Sequence, residues 1–143
     1  GRERSSRTHL CFVILMEEDI LIIEDDSFLR NICVKHLARD GRTVRTARNG
    51  KEGIEELKKK QPHLLLLDLL LPHVDGFTVL EFIQQMEYTF PTIILSNIQW
   101  AFDKKGPTTI GATEYLIKSN VEIPELIEKI EGYLNPNENG KVR

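Results

Sequence analysis

The sequence predicts an α/β fold in which a five-stranded parallel sheet is covered by helices on both faces. Short apolar runs alternate five times with segments that have the periodicity of amphipathic helices, and such alternation is typical of parallel sheets. The third run, Leu64 to Leu67, is leucine alone, as expected of a strand buried on both faces. The chain has 143 residues, 41% hydrophobic and 29% charged, which predicts one globular domain with one core.

Three strands and two helices are predicted in the first half of the chain. The strands are Ile20 to Ile23, Thr43 to Ala47 and Leu64 to Leu67. Ser27 is expected to cap the first helix, which ends at Asp40-Gly41 and whose inward face carries Leu29, Ile32, Cys33, His36 and Leu37. Asn49-Gly50 is predicted to be a turn, and Lys51 to Lys60 a second amphipathic helix that Gln61-Pro62 stops.

The second half of the chain repeats the alternation. Phe77 to Met86 is predicted to be a helix with the inward face Val79, Phe82, Ile83 and Met86. Strands are predicted at Thr92 to Ser96 and at Thr113 to Lys118. Between them, Trp100 to Lys105 has a helical pattern that Gly106-Pro107 interrupts. A closing helix, with Pro124 in its first turn, has the apolar stripe Ile123, Leu126, Ile127, Ile130 and Leu134.

Both ends of the chain are predicted to lie outside the domain, which we place at residues 16–135. Residues 1–15 are interpreted as an N-terminal extension, with Met16 as the natural start, because acidic residues and the first strand follow it directly. Within this extension the apolar residues 10–15 are too few to span a bilayer; alternatively, they form an additional strand or a sticky exchange segment. Residues 136–143 are polar and are predicted to be a flexible tail.

Charge and cysteine content disfavour several classes of function. The formal net charge is −3, and no cluster of lysine and arginine offsets it, so direct nucleic-acid binding is not expected. The two cysteines, Cys11 and Cys33, form no CxxC pair, which disfavours a zinc site or a disulfide scaffold. We therefore expect a cytoplasmic protein with reduced thiols and without membrane association.

Polar side chains stand at the carboxyl ends of four predicted strands. Strand one is followed by Glu24, Asp25 and Asp26, strand three by Asp68, strand four ends at Ser96 and strand five at Lys118. In a parallel sheet these ends share one edge, which is where ligands bind in open α/β folds. Crowded carboxylates repel one another, and a hard divalent cation relieves that repulsion. The pattern therefore predicts a Mg²⁺ site at this edge.

The same side chains suit phosphoryl transfer onto a carboxylate. Asp68 interrupts a run of leucines, and a carboxylate in such apolar surroundings needs partners or a task. As a nucleophile it would form an aspartyl phosphate, with Mg²⁺ and Lys118 neutralising charge on the transferring group. Ser96 would donate a hydrogen bond to a phosphoryl oxygen. The plain alternative is a structural Asp68 that caps the next turn.

These residues and their neighbours resemble the receiver domain of two-component response regulators, the chemotaxis-regulator-like family. The resemblance covers about residues 18–134. It is carried by Ile22-Ile23-Glu24-Asp25-Asp26, Asp68-Leu69-Leu70-Leu71-Pro72 with Asp75-Gly76, Leu95-Ser96, and Gly111-Ala112 through Tyr115-Leu116-Ile117-Lys118. It implies a flavodoxin-like, doubly wound (βα)5 fold with the strand order 2-1-3-4-5.

The resemblance also implies roles for single residues. Asp68 would be the phosphoacceptor, with Lys118 and Ser96 as its catalytic partners. The metal ion, Mg²⁺ or Mn²⁺, would be held by Asp25, Asp68, the backbone carbonyl of Leu70, and Glu24 through a water molecule.

Switching is implied at two positions. The hydroxyl of Ser96 would move to the phosphoryl group, and the aromatic ring of Tyr115 would turn inward. Without the resemblance, Tyr115 would be interpreted as a plain aromatic residue of an edge strand. Asp26, one position beyond the acidic pair, is expected to be peripheral.

Two residues depart from the family pattern. The family usually has proline directly after the lysine, often preceded by a cis peptide bond, but Ser119 follows Lys118 here. Because a cis bond without proline costs about 3 kcal/mol, either this bond is trans and the loop is reshaped, or strain is stored there. Asn97 stands where the family has a small residue, and it either narrows access to Asp68 or adds a hydrogen bond.

The predicted function is that of a single-domain receiver. It would accept a phosphoryl group on Asp68 from a histidine kinase or a phosphotransfer protein and signal to an unidentified downstream protein by conformational switching. It is predicted not to be an enzyme, although with Mg²⁺ it would phosphorylate and slowly dephosphorylate itself. The acid-rich last helix lacks the arginines that transcriptional regulators of this kind use for dimer pairing, so a monomer or weak homodimer is expected. The alternative is a pseudo-receiver, a protein-interaction module that works without phosphorylation.

Enzymes and cofactor proteins on similar sheets fit the sequence less well. A haloacid-dehalogenase-type phosphatase would need an acid two residues after its nucleophile, where Leu70 stands. A flavodoxin-type phosphate loop after strand one would be repelled by the acids there, and no GxGxxG motif follows any strand.

Overall fold

One parallel sheet organises the part of the chain that the computed structural model describes, residues 17–98 and 111–135. Its strands are β1 (Glu18–Ile23), β2 (Arg42–Ala47), β3 (Leu64–Leu67), β4 (Thr92–Ser96) and β5 (Glu114–Ile117). The helices are α1 (Ser27–Leu37), α2 (Gly50–Lys59), α3 (Gly76–Gln85) and α4 (Ile123–Leu134). All neighbouring strands are parallel, in the order β2-β1-β3-β4-β5. The predicted α/β class and strand order are confirmed.

Three predicted features lie outside the described residues. They are the N-terminal extension at 1–15, the helical pattern at Trp100 to Lys105 and the tail at 136–143. They and the domain limits 16–135 stay predictions. Among the described helices, none is both long and apolar enough to cross a membrane.

The core has two layers because the strands are apolar on both faces. On one face, Leu21, Ile23, Leu65 and Leu67 pack with residues of α2 and α3. On the other face, the alternate strand residues Ile20, Ile22, Leu64 and Leu66 pack with residues of α1 and α4. Side chains alternate along a strand, so an uninterrupted apolar run supplies both layers. The leucine run was therefore correctly predicted to be a central buried strand.

The helix starts differ from the predicted ones by one residue. Asp26, not Ser27, caps α1: its carboxylate accepts hydrogen bonds from the backbone N–H groups of Phe28 and Leu29, at 2.9 and 3.3 Å. The prediction for Ser27 was wrong because both residues are good caps and the carboxylate comes first. Asn49, predicted to lie in a turn, caps α2 by accepting from the N–H of Glu52 at 2.9 Å.

Two residues predicted to face inward are exposed. On α1, Leu29, Cys33 and Leu37 are buried, but His36 is not, and the helix ends at Leu37 rather than at Asp40-Gly41. Met86, at the end of α3, is 49% exposed. The apolar stripe of a helix is wider than the surface that neighbouring elements cover, so the residues at its edges are exposed to solvent.

A buried arginine lies at the amino ends of the strands. The Arg42 side chain is 1% exposed, and its guanidinium donates to Glu18 at 2.9 Å and to Glu131 of α4. It also donates to the backbone carbonyl of Leu37, at 3.3 Å. One side chain thus ties β1, β2, α1 and α4 together, and these hydrogen bonds hold the pKa of Arg42 above its ordinary value against the effect of burial.

Gly76→Ala is expected to lower the free energy of unfolding by about 2–3 kcal/mol. A Cβ at Gly76 would stand 2.5 Å from both the carbonyl oxygen of Asp68 and the Cα of Leu69, which are backbone atoms and cannot swing away. Urea unfolding would measure the loss. Gly41→Ala is the control: no atom lies within 4 Å of its added Cβ, and only the left-handed backbone, at φ +79°, costs about 1 kcal/mol. Equal losses in the two variants would contradict the steric explanation.

Candidate functional site

The carboxyl ends of four strands bring the predicted polar residues together. Asp68 follows β3 and its N–H donates to the carbonyl of Ile23, at 3.0 Å. Lys118 follows β5 and its N–H donates to the carbonyl of Ser96, at 2.9 Å. Glu24, directly after β1, is 2% exposed, and Asp68 is 5% exposed. Two carboxylates are therefore buried at one edge of the sheet, as the sequence predicts.

Lys118 is the counter-ion of both buried carboxylates. Its Nζ lies 3.0 Å from Asp68 Oδ2 and 2.7 Å from Glu24 Oε1. Burial alone would lower the pKa of Lys118, but the hydrogen bonds to Glu24 and Asp68 outweigh that effect and raise the pKa. The ammonium is therefore a fixed positive charge beside Asp68.

Three carboxylates form a cluster that could hold a metal ion. Glu24, Asp25 and Asp68 each offer an oxygen within 4.8 Å of the others, and Asp25 is exposed, so the cluster is open to solvent on one side. Carboxylate oxygens are the ligands that hard divalent cations prefer. Asp68 Oδ1 also accepts from the N–H of Leu70, at 3.0 Å. The donor set therefore fits a hard divalent cation, and among residues 17–98 and 111–135 Lys118 is the side chain that ion-pairs with it.

Glu24 is less acidic than an ordinary glutamate. Its carboxylate accepts from Lys118 and from the N–H of Asp26, at 3.1 Å, and both bonds lower its pKa. Burial has a larger, opposite effect, and with the charge of Asp68 it raises the pKa from 4.5 to about 7.

This raised pKa predicts a pH-dependent stability. Between pH 4.5 and 7 the folded protein holds a proton on Glu24 that the unfolded chain has released, so stability falls as pH rises through this window. Relative to wild type, Glu24→Gln is expected to gain up to roughly 3 kcal/mol in free energy of unfolding between pH 5 and pH 8. Urea titrations of both proteins in chelator would measure the difference, and a constant difference across the range would contradict the raised pKa.

The residues at the two predicted switch positions are both buried. Ser96 is fully buried, and its hydroxyl has no ordinary hydrogen-bond partner among the described residues. Tyr115 is 4% exposed although β5 is an edge strand, and its hydroxyl donates to the carbonyl of Ile98. Burial raises the pKa of Tyr115, the nearby Ser96 hydroxyl opposes the rise, and the charge of Asp68 adds to it. The ring of Tyr115 is therefore turned inward.

The two departures from the family pattern contact each other. No cis peptide bond occurs among the described residues, so the Lys118–Ser119 bond is trans. Asn97 Oδ1 accepts a hydrogen bond from the N–H of Ser119, at 2.8 Å. Of the alternatives that the sequence leaves open, the trans bond and the added hydrogen bond are the ones found. Their pairing is not visible in the sequence, since they lie 22 positions apart.

Places at the site were also predicted for Asp26 and Leu70. Asp26 caps α1 and does not join the acid cluster, in agreement with its predicted peripheral place. The Leu70 side chain is 59% exposed, and only its N–H is seen bonded to Asp68. The metal contact of its carbonyl stays a prediction.

Comparison with known proteins gives one consistent family. The family model described as "Response regulator receiver domain" matches residues 20–131. The alkaline phosphatase synthesis transcriptional regulatory protein PhoP of Bacillus subtilis is 31% identical over 72% of this chain and 43% of its own length. The transcriptional regulatory protein TrcR of Mycobacterium tuberculosis is 30% identical over 80% of this chain and 44% of its own length. The chain thus spans less than half the length of these relatives.

Solved structures show the same fold. The receiver domain of the Francisella response regulator 1452 has a TM-score of 0.74 at 22% identity, covering 85% of this chain and 99% of that one. A CheY-like receiver domain protein from Methanospirillum hungatei has a TM-score of 0.71 at 24% identity, with coverages of 87% and 98%. The Mn²⁺-bound form of response regulator Rcp1 has a TM-score of 0.67 at 24% identity, with coverages of 82% and 92%.

Proposed function

Since the chain belongs to the response regulator receiver domain family, we propose that it accepts a phosphoryl group on Asp68 and signals by a conformational switch. The donor would be the phosphohistidine of a histidine kinase or of a phosphotransfer protein, and the receiving partner a downstream protein in the cytoplasm. The observation that carries the proposal is the position of Lys118, whose ammonium contacts Asp68 and Glu24 at once.

The chemistry we propose is a single displacement at phosphorus. A carboxylate oxygen of Asp68 forms a bond to phosphorus while the bond from phosphorus to the histidine nitrogen breaks, and the departing imidazole takes up a proton. Lys118 stays charged throughout and stabilises the negative charge on the transferring oxygens. Because the lysine is already ion-paired with Asp68, it needs little rearrangement during the transfer.

A divalent cation, Mg²⁺ or Mn²⁺, would be held by Asp25 and Asp68 directly, by the carbonyl of Leu70, and by Glu24 through water. Both oxygens of Glu24 and both oxygens of Asp68 already accept hydrogen bonds, so the indirect role of Glu24 is carried over from the family resemblance. The bound cation would neutralise the charge that the phosphoryl group adds to the cluster.

Ser96 and Tyr115 are the proposed switch. The fully buried Ser96 hydroxyl has the Tyr115 side chain as its neighbour, and a phosphoryl oxygen on Asp68 would give it a charged acceptor. Movement of the Ser96 backbone would reach Tyr115 through the loop whose Ile98 carbonyl holds its hydroxyl. We propose that the protein is no enzyme toward separate substrates and that its self-phosphorylation and slow self-dephosphorylation use the same site.

Intact-mass measurement after incubation with a small acyl phosphate tests the proposal. One phosphoryl increment is expected with Mg²⁺ and none with chelator. Borohydride reduction, which converts an aspartyl phosphate to homoserine, followed by peptide mapping, is expected to place the modification at Asp68. No increment in either condition would contradict the proposal and favour a protein-interaction module that works without phosphorylation.

A further inference from the structure

Three consecutive residues at the end of β4 accept hydrogen bonds from β5 and the loop after it. The carbonyl of Ser96 accepts from the N–H of Lys118 at 2.9 Å, and the carbonyl of Ile98 accepts from the hydroxyl of Tyr115. Between them, Asn97 Oδ1 accepts from the N–H of Ser119 at 2.8 Å. Since the donor is a backbone N–H, the amide oxygen of Asn97, not its nitrogen, must face the loop.

We infer that Asn97 is a positioning residue for Lys118, an inference that rests on the proposed function. The lysine ammonium sits on a long, flexible side chain, so its place beside Asp68 depends on how firmly its own backbone is held. The Ser96 carbonyl holds the peptide before Lys118, and the Asn97 side chain holds the peptide after it. The backbone of the lysine is therefore fixed on both sides.

The chemistry of residue 119 explains why a side chain is needed here. A proline would fix its own φ and would have no N–H to satisfy. Ser119 has a freer backbone and an N–H that can donate to a protein acceptor. The next two N–H groups, of Asn120 and Val121, both go to the carbonyl of Ile117, at 2.9 and 3.2 Å. The Asn97 amide therefore supplies the restraint that the proline ring would otherwise give.

Both partners of this bond are exposed, which separates its effect on the lysine from its effect on folding. A single exposed hydrogen bond contributes little to global stability, and Asn97 packs into neither core layer. Losing the bond should therefore slow phosphoryl transfer while the free energy of unfolding changes little.

The experiment compares initial rates of phosphorylation by a small acyl phosphate at saturating Mg²⁺. Asn97→Ala is expected to slow the wild-type rate roughly threefold to tenfold, with unchanged Mg²⁺ affinity and unchanged urea midpoint. Ser119→Ala, which keeps the backbone N–H, is the matched control and should react at the wild-type rate. In a Ser119→Pro background, which lacks that N–H, Asn97→Ala should cause no further loss. Amide exchange of Ser119 in metal-free protein should accelerate in Asn97→Ala.

The outcomes separate this inference from the proposed function. Equal rates for wild type and Asn97→Ala would overturn the inference and leave the proposed function intact. If Asn97→Ala slows phosphorylation by the same factor in the Ser119→Pro background as in wild type, the amide acts elsewhere. That result would also overturn the inference. A wild-type protein that takes up no phosphoryl group would overturn both.

Discussion

Asp68→Asn is expected to abolish phosphorylation and to leave the fold about as stable as wild type. The substitution removes the nucleophilic oxygen but keeps the shape of the side chain, and its one amide oxygen can accept from either Lys118 or the N–H of Leu70, which bond different oxygens of Asp68. It also takes one negative charge from a cluster of three carboxylates that one lysine offsets, so repulsion with Glu24 and Asp25 decreases. Intact mass with acyl phosphate and Mg²⁺, together with urea unfolding, would measure both effects.

Asp26→Asn is the matched control for this variant. It removes the same charge two residues from Glu24, but Asp26 lies outside the carboxylate cluster and asparagine caps a helix as well as aspartate does. It should therefore be phosphorylated like wild type. Phosphorylation of Asp68→Asn at the wild-type rate would show that another residue is the acceptor.

Arg42→Ala is expected to have the largest effect on stability, a loss of about 3–5 kcal/mol in the free energy of unfolding. Alanine would remove the counter-ion of Glu18, leave Glu131 with the exposed Arg39, deprive the Leu37 carbonyl of a donor, and open a cavity at the junction of two strands and two helices. Glu18 and Glu131 keep some contact with water, which favours the lower end of that range. Urea unfolding at low salt would measure it.

Arg39→Ala tests whether the loss comes from burial or from the ion pair as such. Arg39 also contacts Glu131, at 3.8 Å, but its side chain is 57% exposed. Its removal is expected to change stability by no more than about 0.5 kcal/mol. Similar losses from the two variants would contradict the central role given to burial.

The sheet and most of the site could be predicted because their signals are local. An uninterrupted apolar run such as Leu64 to Leu67 can supply side chains to both core layers only if it is a central strand. Once the strands are parallel, residues that directly follow them must share one edge. That rule places Asp68, Glu24 and Lys118 together without any knowledge of the distances between them.

What could not be predicted depends on contacts between residues far apart in the chain. Arg42 is the first residue of β2, a place where a polar residue gives no sign of burial. It is buried because it pairs with Glu131, 89 residues later. The bond between Asn97 and Ser119 likewise needs two loops to meet. His36 has the spacing of a core residue, but it lines an open groove between α1 and α4 and is exposed to solvent.

The buried arginine lies beside the start of β1, and the acid cluster lies beyond the end of that strand. From Glu18, which pairs with Arg42, to Glu24 is six residues of β1, or about 20 Å. Substitutions separated by such a distance have nearly additive effects on stability. The loops at the carboxyl ends can therefore diverge, and acquire partners of their own, without eroding the anchor that keeps the domain folded. A change at the acid cluster can therefore alter what the site binds while the contribution of Arg42 to stability stays the same.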